Sequence, residues 1–377
     1  IHVNGTRGKS SVTRLIAGAL RAHGLKVYAK TTGTLPRMIM ADGTEYPVYR
    51  PARANIIEQV RIVALAARQG AEALVIECMA LQPRLQSLAE LRLVRATHGV
   101  ITNARPDHLD VMGPGERDVA LALLGTTPVG ATLFTAERDF PEEFRMACAD
   151  RGSDLVIVAP EEIDALGDEE MARFRYVEHK ENVALVLKVT DALGIDRETA
   201  MRGMIEAPPD TGALGEFDLE FFGRRIMFVN GFAANDPESS ERIWNIANDR
   251  HPWAERRIMV LNCRADRPDR SRQLGEVLAT WRPADRYLLV GTGTYALART
   301  AVSRGLSPTL ITPLEGAEPV RVFEEILGAC GRSAMVMGLG NIGGIGLELL
   351  KYFSNRAKIE PQPREATKGD SREGAPL

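Results

Sequence analysis

The chain has 377 residues, 45% of them hydrophobic, so it is long enough and apolar enough to form two domains. Its 47 basic and 50 acidic residues leave a net charge of −3, which argues against a general polyanion-binding protein and against nucleic acid as the main partner, and leaves room only for local basic sites. No hydrophobic run approaches the roughly 20 residues of a membrane span. The four cysteines form no Cys-x-x-Cys pair, so neither a disulfide scaffold nor a zinc site is expected.

The first half of the chain alternates short apolar runs with helical periodicity, beginning with a short strand at its first residues. Further strands are predicted at 25–29, 73–78, 98–102, 131–134 and 154–158, and helices at 10–23, 54–69, 115–124, 139–151, 180–193 and 197–206. This βαβ alternation is typical of a parallel sheet. Proline and glycine at 207–212 predict a linker, so the first domain is expected to span 1–212.

The α/β alternation then restarts. Strands are predicted at 217–222, 225–230, 256–262, 286–290, 308–312 and 333–338, and helices at 239–249, 271–281, 294–304, 318–329 and 343–354. They predict a second α/β domain over 213–354. Residues 355–377 are polar and proline-rich, and we expect a disordered tail there.

The most informative motif is the run Gly-Thr-Arg-Gly-Lys-Ser at 5–10, between the first strand and the first helix. Backbone N–H groups of such a loop can surround phosphate oxygens, while Lys9 reaches the β/γ-phosphates and the Ser10 hydroxyl binds Mg²⁺. The standard P-loop pattern would require glycine at position 3, where this chain has Val3. The alternative is a glycine turn that caps an ordinary helix, but the strand before it and the helix after it favour phosphate binding.

Two further polar sites follow apolar strands, where ligands bind in parallel sheets. Glu77 ends the strand at 73–78, and a carboxylate there is costly unless it is paired or metal-bound. We therefore predict Glu77 as a Mg²⁺ ligand, with a structural salt bridge as the alternative. His108 lies between Asp107 and Leu109-Asp110 after the strand at 98–102. On these residues alone, a loop turn with Asx hydrogen bonds is the simpler interpretation of His108.

Four motifs in sequence resemble the ATP-dependent amide ligases of the Mur ligase superfamily. They are the run at 5–10, Glu77, Thr102-Asn103 leading to 107–110, and His179 with 182–185. The superfamily's phosphate loop reads G-T-x-G-K-[ST], which accounts for Val3. Within that superfamily, the runs at 30–36, 232–239, 262–267 and 338–342 are most similar to the ligase subunit of bacterial poly-γ-glutamate synthase.

The resemblance implies a fold, a reaction and a set of site residues. The fold would be a P-loop parallel-sheet ATPase domain of Mur ligase type followed by a smaller Rossmann-like α/β domain. In the reaction, a terminal carboxylate attacks the γ-phosphate of ATP, and the acyl phosphate is captured by the amine of glutamate. The implied cofactors are ATP and Mg²⁺. The residues implied are Lys9, His108, Arg264 and Arg267 for catalysis; Gly5, Thr6, Arg7, Gly8, Lys9, Ser10, Ser11, Asn182, Asn235 and Asp236 for the nucleotide; Ser10, Glu77 and His108 for the metal; and Thr32, Thr34 and Arg37 for the substrate.

The resemblance also implies partners and a location. They are glutamate and the growing poly-γ-glutamate chain, together with small integral-membrane subunits, at the cytoplasmic face of the membrane. We expect a homo-oligomer, and we expect any membrane anchor to precede Ile1.

Several alternatives remain open at this point. A folylpolyglutamate-type ligase is the alternative within the superfamily, and a P-loop NTPase switch without ligation is the alternative of another class. Arg264 and Arg267 could form an exposed charged turn. The Gly-x-Gly-x-x-Gly run at 338–343 follows a predicted strand, but no acidic residue closes a later strand, so we interpret it as a tight turn that could also bind an anion.

Overall fold

The computed structural model describes residues 1–33, 36–50, 54–174, 176, 178–209, 215–232, 234 and 237–357. The chain forms two compact units, which divide between residues 215 and 216. The predicted boundary at 212–213 and most of the predicted tail, from 358 onward, lie outside the described residues.

The first unit contains eight strands and ten α-helices within the described residues. The strands are β1 His2–Asn4, β2 Val27–Thr31, β3 Arg37–Ile39, β4 Glu45–Pro47, β5 Ala73–Glu77, β6 His98–Ile101, β7 Thr132–Thr135 and β8 Asp154–Ile157. The helices are α1 Lys9–Ala22, α2 Ile57–Arg68, α3 Pro83–Leu88, α4 Leu109–Met112, α5 Glu116–Leu123, α6 Pro141–Arg151, α7 Pro160–Asp164, α8 Asp168–Ala172, α9 Lys180–Ala192 and α10 Arg197–Glu206. A π-helical turn spans Ala89–Val94.

The eight strands form one sheet in the order β4-β3-β2-β5-β1-β6-β7-β8. Only the pairs β2–β3 and β3–β4 are antiparallel. Strand β1 lies between β5 and β6, with Val3 opposite both Glu77 and Val100. The carboxyl ends of these three strands are therefore adjacent, which places the loop at 5–8 beside Glu77 and the residues that follow β6.

The sequence explains why α1 lies against the centre of this sheet. Its residues from Val12 to Leu20 are buried, and Leu15 and Ile16 are completely inaccessible. They pack with apolar residues of β1, β2, α9 and α10 in the largest described core of this unit. Burial of such side chains is the main favourable term for folding, so this core fixes the helix that follows the phosphate loop.

The second unit is a parallel-rich sheet with the strand order β13-β12-β11-β14-β10-β9. Its strands are β9 Gly215–Phe221, β10 Arg224–Asn230, β11 Arg256–Cys263, β12 Arg286–Gly291, β13 Ile311–Glu315 and β14 Ser333–Gly340. Its helices are α11 Pro237–Arg250, α12 Pro268–Val277, α13 Thr294–Ser303, α14 Pro319–Ala329 and α15 Ile345–Ser354. The pairs β10–β14, β14–β11, β11–β12 and β12–β13 are parallel. The predicted α/β class, with two parallel-rich sheets, is confirmed.

The structure contains several elements that were not predicted. They are the hairpin formed by β3 and β4, the short helices α3, α4, α7 and α8, and the π-helical turn Ala89–Val94. The strand expected at 308–312 begins only at Ile311, after a 3₁₀ turn at Pro308–Leu310. The four cysteines are free and buried, as expected for small core residues. Across the described ranges, no helix combines the length and apolar character needed to cross a membrane.

Candidate active site

The loop at 5–8 turns sharply between β1 and α1. Gly5 has φ +134° and Gly8 has φ +77°, a region that side-chain-bearing residues rarely adopt. A Cβ atom on Gly5 would lie 2.0 Å from Thr102 Oγ1, and one on Gly8 would lie 2.8 Å from Asn182 Oδ1. Both glycines are therefore required, because the backbone has a positive φ there and because neighbouring side chains leave no room for a Cβ atom. A loop held in one conformation at both glycines supports the phosphate-loop interpretation over a simple helix cap.

The loop and the first turn of α1, together called the cradle, have the backbone features of an anion-binding site. The first N–H groups of a helix have no intrahelical acceptor, and the helix dipole favours negative charge there. No acidic residue lies in the first turn of α1 to compete for these groups. Lys9 Nζ donates to the carbonyl oxygens of Gly5 (2.7 Å) and Thr6 (3.2 Å), so the ammonium group lies over the same loop.

Glu77 connects the cradle to a neighbouring strand. Its side chain is buried, and Oε2 accepts hydrogen bonds from Ser10 Oγ (2.8 Å) and from the backbone N–H of Thr32 (2.7 Å). Ser10 and Glu77, both predicted as Mg²⁺ ligands, are therefore in direct contact. Hydroxyl and carboxylate oxygens are hard donors, and Mg²⁺ prefers one or two carboxylates together with waters and phosphate oxygens. These donors therefore fit Mg²⁺.

The residues after β6 hold the phosphate loop from its other side. Asn103 Oδ1 accepts from Thr6 Oγ1 (2.7 Å) and from the backbone N–H of Arg7 (3.0 Å). The carbonyl oxygen of Arg7 accepts from Thr102 Oγ1 (2.6 Å), and the N–H of Arg105 donates to Thr6 Oγ1 (2.9 Å). Because these bonds join residues about a hundred positions apart, sequence reasoning identified the Thr-Asn motif without its structural role.

His108 lies on the same loop, directly before α4. Its backbone has φ 48°, in the left-handed region, which is uncommon for a residue other than glycine. Its backbone N–H donates to Asp107 Oδ1 (3.1 Å), and Asp107 Oδ2 lies 3.7 Å from Arg7 Nη1. An ion pair therefore links the loop that carries His108, a predicted metal ligand, to the phosphate loop. Within the described part of the chain, no three His, Cys, Asp or Glu side chains form a metal-binding group by themselves.

Asn182, predicted to contact the nucleotide, lies in the first turn of α9 beside Gly8. It is buried, and its Nδ2 donates to Glu178 Oε1 (2.8 Å), which also accepts from the N–H of His179. Burial raises the pKa of Glu178 against the opposing effect of these hydrogen bonds. The structure thus places Asn182 against the phosphate loop.

Two of the predicted substrate residues lie beside neighbouring strands: Thr32 directly follows β2, and Arg37 is the first residue of β3. Thr32 contacts Glu77 through its backbone, and Arg37 begins β3 opposite Thr31. Thr34 lies outside the described residues. Lys30, which precedes this segment, is completely buried and forms an ion pair with Glu58 at 2.7 Å. Burial lowers the pKa of Lys30 against the pull of Glu58, an arrangement that sequence reasoning did not anticipate.

In the second unit, Arg264 and Arg267 follow β11 as predicted. Arg264 Nε and Nη2 donate to the two carboxylate oxygens of Asp266, at 2.9 and 2.7 Å, and the Arg264 side chain is 45% exposed. Arg267 immediately precedes α12. Asn235 and Asp236 lie outside the described residues.

The glycine-rich turn at 338–343 is held by reciprocal amide contacts. Asn341 Nδ2 donates to the carbonyl oxygen of Asn262 (3.1 Å), and Asn262 Nδ2 donates to the carbonyl oxygen of Gly343 (2.9 Å).

A second glycine-rich run, at 291–294, leads into α13, where Glu315 accepts from the N–H groups of Gly293 and Thr294. The chain's own carboxylate therefore fills that helix N-terminus.

Two family models match the chain. A model described as the Mur ligase middle domain matches residues 3–122, and one described as the poly-gamma-glutamate synthase CapB C-terminal domain matches residues 217–356.

Two similar curated proteins cover most of the chain. The capsule biosynthesis protein CapB of Bacillus anthracis is 37% identical over 347 residues, which are 91% of this chain and 74% of that protein. The PGA synthase CapB of Bacillus subtilis (strain 168) is 35% identical over 353 residues, which are 93% of this chain and 89% of that protein.

A solved structure shares the fold at lower identity. It is the bifunctional folylpolyglutamate synthase/dihydrofolate synthase of Yersinia pestis, in complex with AMPPNP and a manganese ion. The TM-score is 0.65 at 14% identity, and the match covers 94% of this chain and 88% of that one.

Proposed function

The chain belongs to the CapB family of poly-γ-glutamate synthases within the Mur ligase superfamily, and from this premise we propose how its residues carry the reaction. It is an ATP-dependent amide ligase that forms γ-glutamyl bonds and elongates poly-γ-glutamate. The folylpolyglutamate-type alternative has weaker support, since that likeness has 14% identity against 35–37% for the CapB proteins. The observation that carries the proposed mechanism is the cradle at 5–11 with Ser10 hydrogen-bonded to the buried Glu77.

The proposed reaction has two steps. In the first, a carboxylate oxygen of the growing chain bonds to the γ-phosphorus of ATP as the bond to the bridging oxygen breaks, which gives an acyl phosphate and ADP. In the second, the amine of glutamate attacks the acyl carbon, inorganic phosphate leaves, and the amine loses a proton to form the amide. Phosphoryl transfer requires mainly positioning and charge stabilisation. We propose that the N–H groups of α1 and Lys9 supply both at the phosphates.

We propose that the nucleotide is ATP with a divalent metal, and that Ser10, Glu77 and His108 hold that metal. When bound, Mg²⁺ neutralises charge on the transferring phosphate. Glu77 is already fixed by Ser10 and Thr32, so little reorganisation is needed to present its carboxylate. Asn182 would position Gly8 and the nucleotide, and Thr32, Thr34 and Arg37 would contact the acceptor chain.

The direct experiment follows amide formation. The chain is mixed with ATP, Mg²⁺, a γ-glutamyl oligomer and radiolabelled glutamate, and labelled oligomer is separated from free glutamate. We expect incorporation that requires ATP and the oligomer, with release of one ADP and one phosphate per amide. ATP hydrolysis without any labelled product would favour an NTPase switch, and labelling only of a pteroyl acceptor would favour the folate-type ligase.

His108 provides a test of the metal site that separates its imidazole from its backbone. His108→Asn removes the imidazole but keeps a residue that tolerates the left-handed conformation. We expect turnover to fall by about two orders of magnitude with little change in thermal stability. His108→Ala should be equally inactive and less stable by about 1 kcal/mol, because alanine does not tolerate this conformation. Near-normal turnover of His108→Asn would remove His108 from the metal set.

Arg264 provides a test of the second unit. Arg264→Lys keeps the charge but loses the planar fork that binds a carboxylate with two hydrogen bonds. We expect ATP binding to survive while amide formation falls at least about tenfold. Arg256→Lys is the matched control, because Arg256 is also an exposed arginine that pairs with an aspartate, Asp285, at 3.0 Å. Equal loss in both variants, or none in Arg264→Lys, would make Arg264 a surface charge.

We also propose the partners and the location that the family suggests. The substrates would be glutamate and the growing chain, and small integral-membrane subunits would recruit the ligase to the cytoplasmic face of the membrane. A homo-oligomer is proposed as well. The test of the membrane partners compares product length with and without them: long polymer made efficiently by this chain alone would contradict a requirement for those subunits.

A further inference from the structure

Glu137 is a buried carboxylate for which the proposed mechanism has no direct use. It lies two residues beyond the end of β7 and is 8% exposed. Its two oxygens accept three backbone hydrogen bonds. Oε2 accepts from the N–H of Ala104 (2.7 Å), and Oε1 accepts from the N–H groups of Arg138 and Asp139 (both 2.8 Å). A buried carboxylate is costly unless it is hydrogen-bonded in this way.

The local bonds make this carboxylate rigid. Arg138 and Asp139 fix Oε1 within its own turn, and the N–H of Glu137 donates to Thr135 Oγ1 at 2.9 Å. The bond to Ala104 then reaches from this fixed point to a residue 33 positions earlier, in the loop that follows the neighbouring strand β6. Glu137 therefore fixes the start of the loop after β6 through its hydrogen bond with Ala104.

The position of Ala104 gives this contact its significance. Asn103, on one side, accepts the N–H of Arg7 in the phosphate loop. Arg105, on the other side, donates its N–H to Thr6 Oγ1. Ala104 is itself buried, so its N–H would lose a strong acceptor, with no access to water, if Glu137 were changed. The same loop continues to Asp107 and His108.

We propose that Glu137 is a positioning residue of the ligase site. Its carboxylate fixes the loop at 102–108, and through that loop it sets the phosphate loop and His108 relative to each other. The inference rests on the proposed function, because its consequences are measured through nucleotide and metal use. Glutamine cannot replace this carboxylate. In either orientation of its amide, the NH₂ group would face backbone N–H donors, either that of Ala104 or those of Arg138 and Asp139.

The experiment compares Glu137→Gln with the intact chain and with Glu162→Gln. Glu162 is a matched control in the same unit, since it also accepts a backbone N–H, that of Ala159 at 2.9 Å. The measurements are the Mg²⁺ concentration that gives half-maximal ATP turnover, kcat, ADP affinity in EDTA, and the thermal midpoint. For Glu137→Gln we expect half-saturating Mg²⁺ to rise, or kcat to fall, about 10–100-fold, whereas Glu162→Gln should match the parent.

Several outcomes would overturn the inference. One is a Glu137→Gln variant with parental Mg²⁺ dependence and kcat, whether or not its thermal midpoint falls, because a merely structural role moves only stability. If Glu137→Gln does not fold, Glu137→Asp decides instead: it keeps the charge but withdraws the carboxylate by one methylene from Ala104, and parental kinetics in that variant would overturn the inference. Absence of amide formation by the parent itself would defeat the proposed function separately.

Discussion

Replacement of Lys9 by alanine should abolish ATP-dependent turnover, with a loss of about 10³-fold. Lys9 Nζ lies over the phosphate loop, 2.7 Å from the carbonyl oxygen of Gly5. From there it can neutralise charge on the β- and γ-phosphates, and the alanine methyl group cannot. The fold should persist, because the two hydrogen bonds lost are to the loop itself and each contributes about 1 kcal/mol.

Lys26→Ala is the control for this experiment. Lys26 belongs to the same unit, and its ammonium also donates to a backbone carbonyl oxygen, that of Gln69. It lies just before β2, at the end of the sheet away from the cradle. The measurements are steady-state ATP turnover and nucleotide affinity. Near-parental turnover in Lys9→Ala would show that the cradle is misassigned.

Replacement of Glu77 by glutamine should raise the Mg²⁺ requirement about 10–100-fold while nucleotide affinity in EDTA changes little. The glutamine oxygen can still accept from Ser10 Oγ and from the N–H of Thr32, so the local geometry should be kept. What is lost is the negative charge that would pair with the cation. The two effects are separated by titrating Mg²⁺ at saturating ATP and by measuring ADP binding without metal.

Glu72→Gln is the matched control for Glu77. Glu72 directly precedes the same strand, β5, and it is exposed. Its Oε2 accepts the N–H of Lys26 at 2.8 Å. It should show parental Mg²⁺ dependence. If Glu77→Gln also gave the parental titration, Glu77 would be a structural carboxylate that fixes Ser10 and Thr32.

The central α/β framework could be predicted because its signals are local. Apolar runs bounded by polar residues predicted β5 and β6, and the residues that end these strands, Glu77 and Thr102-Asn103, were recognised. The hairpin of β3 and β4 was missed although Asp42-Gly43 is a recognised hairpin signal. Its strands have three residues each, too few for an alternating pattern to stand out.

The contacts within the site could not be predicted, because they join distant parts of the chain. The hydrogen bond from Thr6 to Asn103 spans 97 positions, and that from Ser10 to Glu77 spans 67. Glu90, in the π-helical turn Ala89–Val94, likewise contacts a distant residue, His2, at 2.7 Å. For Glu137 a usable signal did exist: it is a carboxylate just beyond an apolar strand, as Glu77 is at the end of one.

The most direct test of the acyl-phosphate mechanism is positional isotope exchange in ATP labelled with ¹⁸O at the β,γ-bridge. A γ-glutamyl oligomer with an acetylated amine is supplied with Mg²⁺, and free glutamate is left out, so that a carboxylate can be activated but no amine can capture it. Reversible transfer of the γ-phosphoryl group should then move the label into non-bridging positions of ATP, and only when the oligomer is present. ATP hydrolysis at the same rate with and without the oligomer, with the label still in the bridge, would contradict this mechanism.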